Sequence, residues 1–354
     1  MKQKWLFLLI ATGMAFCYST NGSLVRVHAE ETAVKKNLPH VMVLATGGTI
    51  ASTAESNTDS SNYQVTNGVN ELINAVPEVK NIATVTGEQV INVSSQDISD
   101  DDRLALGKRV NELLAKDDVN GVVVTHGTET LEQTAYFLNL VVKSDKPVVL
   151  VGSMRPASAI STDGPINFYN AVKVAGDRQS QGKGVLIVLN DRIGSARFIS
   201  KTSNWTTDSF KSLEQGFLGD IVGGKVRFYQ QPLTKHTYQT EFDIANLAML
   251  PKVDILAESY GSNDLALLNA AIQSGAKGVV LGGWAASSAD EKMGNLRGVV
   301  LVKSFYQATG QTLYEQDSFV ESNSLNPQKA RILLQLALTK TTDPKKIQQY
   351  FNEY

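Results

Sequence analysis

The sequence predicts an α/β protein with a larger N-terminal domain, built on a mostly parallel sheet, and a smaller C-terminal α/β domain. Short apolar runs alternate with segments of helical periodicity, the pattern of parallel strands joined by crossover helices. Polar clusters follow several of these runs, and open sheets of this kind bind ligands at the carboxyl ends of their strands. The chain has 354 residues, a length that favours two domains over one.

The first predicted strand ends in a glycine turn that presents a hydroxyl group. Residues 41–45 read Val-Met-Val-Leu-Ala, with no polar residue to mark a solvent face, so they predict a fully buried strand. Gly47 and Gly48 follow, and Thr49 comes next. A glycine pair permits positive φ and close approach of the backbone to a ligand, although an ordinary tight turn would use it too. The pair completes neither the dinucleotide-binding fingerprint nor a P-loop.

The rest of the N-terminal domain continues the alternation of strands and helices. Residues 51–68 are rich in Ser, Thr, Asn and Asp without an apolar period, and they predict a mobile surface loop. The other predicted strands are residues 82–85, 90–93, 119–125, 148–152 and 185–190, with a hairpin through 197–201. The predicted helices are residues 69–76, 100–115, 130–142 and 165–175.

The C-terminal part is predicted to be a separate, smaller unit. Its predicted strands are residues 253–260, 278–282 and 299–302, and its predicted helices are residues 265–274, 327–338 and 343–351. The preceding segment is irregular, so we interpret residues 231–250 as a linker. This places the N-terminal domain at residues 30–230 and the small domain at 251–354.

The first 29 residues have the composition of a secretory signal peptide. Lys2 and Lys4 precede an apolar run over residues 5–16, and a more polar stretch ends at Ala29, which suits cleavage there. The run is too short to span a membrane as a helix. The sequence therefore predicts an exported protein with no membrane attachment after cleavage.

Composition narrows the chemistry that the protein could perform. The single cysteine, Cys17, lies within the predicted signal peptide, and there are only four histidines. Thiol catalysis, a cysteine metal site and a histidine metal cluster are therefore disfavoured, and we expect no metal or other cofactor. A formal net charge of −2 gives no indication of nucleic acid or anionic membrane as a partner. Hydroxyls, carboxylates and lysines remain as the groups available for catalysis.

Three polar clusters follow predicted strands: Thr49, then Ser95-Gln96-Asp97, then Thr128-Glu129. In a parallel sheet these clusters would lie at one edge and could line one pocket. A threonine hydroxyl is a weak nucleophile that needs an activating group, which a second threonine, a carboxylate or Lys201 could supply. Each residue by itself also fits a simple turn or helix cap.

Two segments resemble the signatures of the bacterial-type L-asparaginases. Residues 44–51 read Leu-Ala-Thr-Gly-Gly-Thr-Ile-Ala, and residues 121–130 read Gly-Val-Val-Val-Thr-His-Gly-Thr-Glu-Thr. Similarity continues through Ser-Asn-Tyr at 61–63 and Leu-Asn-Pro-Gln-Lys-Ala-Arg at 325–331, so it covers nearly the whole chain after the predicted signal peptide. Together with that segment, the sequence resembles the type II, periplasmic subgroup.

The resemblance implies hydrolysis of the side-chain amide of L-asparagine, and of L-glutamine more slowly, with release of ammonia. It implies that Thr49 is the nucleophile that forms an acyl-enzyme and that Tyr63, in the loop 51–68, assists its activation. It also implies that Thr128 and Lys201 form a second hydroxyl–base group, which activates either water or the nucleophile. The loop itself would close over the substrate as a lid.

The resemblance also implies the groups that hold the substrate. Ser95 would bind the α-carboxylate, and Gln96 and residue 129 would contact the α-amino group. The family has aspartate where this chain has Glu129, and the extra methylene adds about 1.5 Å of reach. We therefore expect Glu129 to weaken binding of the substrate amino group.

The family's quaternary structure implies a homotetramer whose sites lie between two subunits. Its small domain lends a glutamate and an Asn or Ser to the neighbouring site, for which Glu315 and Ser262 are the candidates here. Two other interpretations stay open from the sequence alone. One is a periplasmic amino-acid-binding protein, and the other is a catalytically impaired asparaginase paralogue.

Overall fold

The computed structural model describes residues 38–257, 264–283, 298–312 and 319–354. The predicted signal peptide, Ser262, Glu315 and the end of the predicted strand 253–260 lie outside these residues. The helices are α1 (Val69–Asn74), α2 (Asp100–Leu114), α3 (Leu131–Val141), α4 (Gly164–Ala175), α5 (Asp264–Gln273), α6 (Pro327–Leu338) and α7 (Pro344–Glu353). The strands of the N-terminal part are β1 (His40–Gly47), β2 (Ser52–Ala54), β3 (Tyr63–Val65), β4 (Thr84–Val93), β5 (Gly121–Thr125), β6 (Val148–Val151), β7 (Val185–Leu189), β8 (Arg192–Ser195), β9 (Ser200–Lys201), β10 (Phe210–Lys211), β11 (Gly219–Val222) and β12 (Lys225–Phe228). The later strands are β13 (Val253–Ala257), β14 (Gly278–Gly282), β15 (Val300–Ser304) and β16 (Val320–Glu321).

An eight-stranded sheet organises the larger domain, in the order β12-β11-β8-β7-β6-β5-β1-β4. The five strands from β7 to β4 run parallel, and β8, β11 and β12 extend the sheet with antiparallel pairings. A parallel arrangement aligns the carboxyl ends of β1, β4 and β5 at one edge, which is where the predicted polar clusters follow. The predicted fold class is therefore confirmed for this domain.

The apolar run of β1 is buried because both faces of the sheet are covered. Met42 and Leu44 belong to the core beneath α2 and α3, whereas Val41 and Val43 face the opposite core beneath α4. Successive side chains of a strand point to opposite faces, so a strand covered on both sides needs apolar residues at every position.

The smaller domain is also an α/β unit, with four parallel strands in the order β13-β14-β15-β16. Leu268 of α5 packs in a core on one face of this sheet. On the other face, α6 contributes Leu333 and Leu334 to the large core that also contains α3. The small domain is thereby joined to the large one through packing of α6 on α3.

Two predicted strands of the N-terminal domain, residues 82–85 and 90–93, are one strand in the structure. β4 pairs with β1 without a break from Thr84 to Gln89. The polar residues between the two predicted strands are tolerated because β4 is the edge of the sheet. Gly87 is required there by packing rather than by a turn, since a Cβ at this position would lie 2.6 Å from a methyl carbon of Val69 in α1.

The predicted hairpin through 197–201 is wrong. The hairpin is formed by β7 and β8, and its turn consists of Asn190 and Asp191, both at positive φ (52° and 59°). Asn and Asp tolerate this left-handed conformation, and two-residue hairpins of matching twist require it at both positions. Lys201 lies instead on the short strand β9, which pairs with β10.

The two segments predicted to lack regular structure are partly ordered by tertiary contacts. The predicted loop 51–68 contains the antiparallel ribbon of β2 and β3, in which Ala54 pairs with Tyr63. Within the predicted linker 231–250, Phe242 is buried against the rings of Tyr350 and Tyr354, 5.3 and 5.2 Å away between centroids. Among the described residues, no helix is both long and apolar enough to cross a membrane.

Candidate active site

The loops that follow β1, β4 and β5 pack directly against one another. Gly48 lies so close to the next loop that a Cβ on it would be 2.2 Å from the Cα of Gly127. A Cβ on Gly127 would in turn be 2.8 Å from the Cβ of Ser95. Glycine at positions 48 and 127 therefore allows the ends of β1, β4 and β5 to approach one another. This close approach places the three predicted polar clusters next to one another.

The turn after β1 holds the hydroxyl of Thr49 beside that of Tyr63. Gly47 and Gly48 adopt φ of 96° and 80°, a left-handed conformation that glycine adopts without strain. Thr49 then begins a single 3₁₀ turn and is buried, while Tyr63 on β3 is 37% exposed. The two side-chain oxygens are 3.1 Å apart, within hydrogen-bonding distance.

A second hydroxyl lies beside a lysine at the end of β5. Lys201 Nζ donates to Thr128 Oγ1 at 3.1 Å and also to the carboxylate of Glu129. Thr128 is buried and the Lys201 side chain is 9% exposed, whereas the Glu129 side chain is 49% exposed. The predicted contact of Glu129 was with a substrate amino group; in the structure its carboxylate accepts a hydrogen bond from Lys201.

The predicted substrate-binding residues after β4 differ in exposure. Ser95 is buried, and its carbonyl accepts a hydrogen bond from Thr130 Oγ1 at 2.8 Å, which ties this loop to the one after β5. Gln96 is exposed and free to face a ligand. Glu315 and Ser262 lie outside the described residues.

His126 supports the backbone of the site. It is fully buried, and its Nδ1 lies 2.7 Å from the carbonyl oxygen of Gly127, consistent with donation from the neutral ring. Burial lowers the pKa of His126 to about 4. A neutral ring in this position holds the loop that carries Thr128. In the described part of the chain, no group of three or more His, Cys, Asp or Glu side chains is arranged to hold a metal ion.

A buried ion pair beside Lys201 was not anticipated from the sequence. Lys329 of α6 lies 3.4 Å from Glu132 of α3, and both residues are almost inaccessible to solvent. The only sequence signal was that Glu132 and Lys329 each place a charge in a predicted helix whose buried face is otherwise apolar. The partners are too far apart in the chain for that signal to pair them.

Comparison with known proteins assigns this fold and site to a family of enzymes. Residues 40–234 match the family model "Asparaginase, N-terminal", and residues 252–351 match "Glutaminase/Asparaginase C-terminal domain". Together these matches cover most of the chain. The protein belongs to the asparaginase family, as the two signature-like segments predicted.

Individual relatives align over almost the full length. L-asparaginase 2 of Bacillus subtilis is 53% identical over 93% of this chain and 90% of its own. Glutaminase-asparaginase of Pseudomonas fluorescens is 44% identical, with 93% and 94% covered. The crystal structure of a probable cytoplasmic L-asparaginase from Campylobacter jejuni superposes with a TM-score of 0.86 at 42% identity, covering 89% of this chain and 100% of that one. The alternatives of a binding protein and of an impaired paralogue are not favoured by this set of named enzymes.

The predicted periplasmic location is wrong. The Campylobacter protein, which shares this fold and is 42% identical in sequence, is a probable cytoplasmic L-asparaginase. The prediction came from the composition of residues 1–29 and from the resemblance to the periplasmic subgroup. Members of one family share a fold and a site across compartments, so neither feature by itself assigns the compartment.

Proposed function

We propose that the protein hydrolyses L-asparagine to L-aspartate and ammonia, and L-glutamine more slowly. One observation carries this proposal: two buried threonine hydroxyls sit at neighbouring strand ends, and each is in contact with a group able to move a proton. A protein that only binds an amino acid has no need of that arrangement. The names of the aligned relatives support the same substrates.

The first half of the reaction uses Thr49 and Tyr63. Thr49 Oγ1 attacks the carbon of the side-chain amide, and its proton passes to the Tyr63 oxygen 3.1 Å away. In exchange, Tyr63 gives up its own hydroxyl proton to the amide nitrogen. Collapse of the tetrahedral intermediate breaks the C–N bond, and the nitrogen leaves as ammonia after taking up a proton. Backbone N–H groups near Thr128 stabilise the negative oxygen, a contribution that is typically large. The product of this half is an acyl ester on Thr49.

The second half uses Thr128 and Lys201. Lys201 is held on the Thr128 hydroxyl at 3.1 Å, so the pair can relay the proton that water loses as it attacks the ester. When the ester bond breaks, that proton reaches the Thr49 oxygen, which restores its hydroxyl and releases aspartate. Water, the hydroxyls of Thr49, Tyr63 and Thr128, and Lys201 account for the protons of both halves, and no cofactor enters the scheme.

The substrate is held by residues of the adjoining loops. Ser95 binds the α-carboxylate, and Gln96 with Glu129 receives the α-amino group. Glu315 completes the site from a neighbouring subunit of a homotetramer. We divide the chain into an N-terminal catalytic domain (30–230), a linker (231–250) and a small domain (251–354); the two family regions, which end at 234 and begin at 252, support that division.

The proposal is tested by ammonia release from asparagine and glutamine with purified protein, alongside the variant Lys201→Met. We expect Lys201→Met to lower kcat by at least about 100-fold, the usual contribution of a positioned proton-transfer group. Lys211→Met is the matched control, because Lys211 lies on the paired strand β10 and bonds Asp208 rather than Thr128. It should retain the native rate. Native-like turnover by Lys201→Met, or equal losses in both variants, would contradict the proposal.

A further prediction concerns position 129, where this chain has glutamate and the family has aspartate. The Glu129 carboxylate is occupied by Lys201, so a substrate ammonium must compete for it. Shortening the side chain in Glu129→Asp should return the carboxylate to the reach that the family uses and lower KM for asparagine about tenfold, or about 1.4 kcal/mol. Steady-state kinetics check this, with Glu129→Gln expected to raise KM. An unchanged KM in Glu129→Asp would show that the pocket is already fitted to glutamate.

A further inference from the structure

Lys329 is a buried ammonium whose three hydrogens all have acceptors. Its side chain is 3% exposed, and Nζ donates to the carbonyls of Arg197 and Ile199 at 3.1 and 2.5 Å. The third acceptor is the carboxylate of Glu132 at 3.4 Å. Removing an ammonium from water costs several kcal/mol unless it is fully partnered, so this arrangement holds its acceptors firmly in place. Burial lowers the pKa of Lys329 to about 8, which leaves it charged at neutral pH.

Two of these acceptors belong to the segment that carries Lys201. The carbonyl of Ile199 lies two residues before Lys201, and that of Arg197 lies four before it. Strand β9 is two residues long, and among the described strands it pairs with the equally short β10 alone. A cavity of about 370 Å³ adjoins the same segment, so it lacks tight packing on that side. The contacts from Lys329 are therefore a main constraint on where Lys201 sits.

The third acceptor belongs to the helix that begins three residues after Thr128. Glu132 is the second residue of α3, four residues after Thr128. Its carboxylate also accepts from Asn326 Nδ2 at 3.2 Å, and Asn326 caps α6 by accepting from the Lys329 N–H at 3.0 Å. The start of α6 therefore contacts both the segment before Lys201 and the helix that follows Thr128. It does not contact the reacting atoms of Lys201 or Thr128.

We propose that Lys329 is a positioning residue that sets the distance between Lys201 and Thr128. The inference rests on the proposed catalytic role of that pair and extends it to the small domain. A displacement of about 1 Å in a catalytic group can cost on the order of 100-fold in rate. The described polar partners of Lys329 Nζ include no residue proposed to hold the substrate, so its loss should affect turnover much more than substrate binding.

The test is a double-mutant cycle between Lys329→Met and Lys201→Met, measured by ammonia release from asparagine. Lys329→Met should lower kcat by about 10- to 100-fold with KM within about twofold of native. In the Lys201→Met background, the same change should lower the residual rate by less than about twofold, because it acts through Lys201. Lys329→Arg keeps the charge and should recover part of the rate.

Two further variants separate positioning from general destabilisation. Glu132→Gln with Lys329→Met leaves no buried unpaired charge and retains an acceptor for Asn326; it should fold and be as slow as Lys329→Met. Arg331→Met breaks another ion pair of α6, with Asp100, and should lower the melting temperature without changing kcat. Native kcat in Lys329→Met, or losses that multiply in the cycle, would overturn the inference. Native kcat in Lys201→Met would instead refute the proposed function on which it rests.

Discussion

Replacing Thr49 with alanine should lower kcat for asparagine by at least about 10⁴-fold, because loss of a nucleophile removes the covalent route altogether. The side chain is buried, and within the described residues its hydroxyl bonds to no side chain but Tyr63, so the change removes one hydroxyl and one methyl group. The folded state should therefore be nearly unaffected. Measuring both ammonia release and the thermal unfolding curve of Thr49→Ala separates a loss of catalysis from a loss of stability.

A matched control lies on β2, in the ribbon that also carries Tyr63. Thr53 Oγ1 is 2.9 Å from Thr66 Oγ1, forming a threonine hydroxyl pair that is exposed and apart from the strand-end loops. Thr53→Ala should retain the native rate. Mass spectrometry of enzyme quenched during turnover should detect an added acyl group on native protein and none on Thr49→Ala. Retention of more than a few per cent of kcat by Thr49→Ala would refute the assignment of this residue as nucleophile.

The second large effect is expected from Gly48→Ala. A methyl group at this position would lie 2.2 Å from the Cα and 2.3 Å from the backbone nitrogen of Gly127, and backbone atoms cannot rotate away as a side chain can. The φ of 80° adds strain for any L-residue. Overpacking costs about 1–3 kcal/mol and backbone strain about 1–3 kcal/mol, so we expect the free energy of unfolding to fall by about 2–6 kcal/mol.

The activity of Gly48→Ala should fall with its stability, because separating the loops moves Thr49 away from Thr128. Gly182→Ala is the control: its φ is 69°, yet no heavy atom lies within 4 Å of the added methyl. It should lose only about 1–2 kcal/mol and keep native kcat. Denaturant titration with kinetic assays compares the two variants. Equal losses of stability would mean that the close approach of Gly48 and Gly127 contributes nothing.

Much of the fold followed from local pattern. The apolar runs of β1, β5, β6 and β7 predicted strands, and that of β1 predicted burial on both faces; the predicted helices 100–115 and 327–338 match α2 and α6 closely. The failures came where local pattern and tertiary context disagreed. β4 contains polar residues that only an edge strand tolerates, and the β7–β8 turn depends on Asn190 and Asp191 rather than on glycine.

For the site, the sequence alone was sufficient to place Thr49, Ser95 and Thr128 at strand ends, since each follows its strand directly. It could not identify the partner of each hydroxyl. Lys201 is 73 residues from Thr128, and Lys329 is 132 residues from Arg197, so no periodicity links them. Such pairings arise only when the sheet forms and α6 packs against α3. The reason is physical: strand ends are local properties of the chain, whereas the position of a proton donor depends on every element packed behind it.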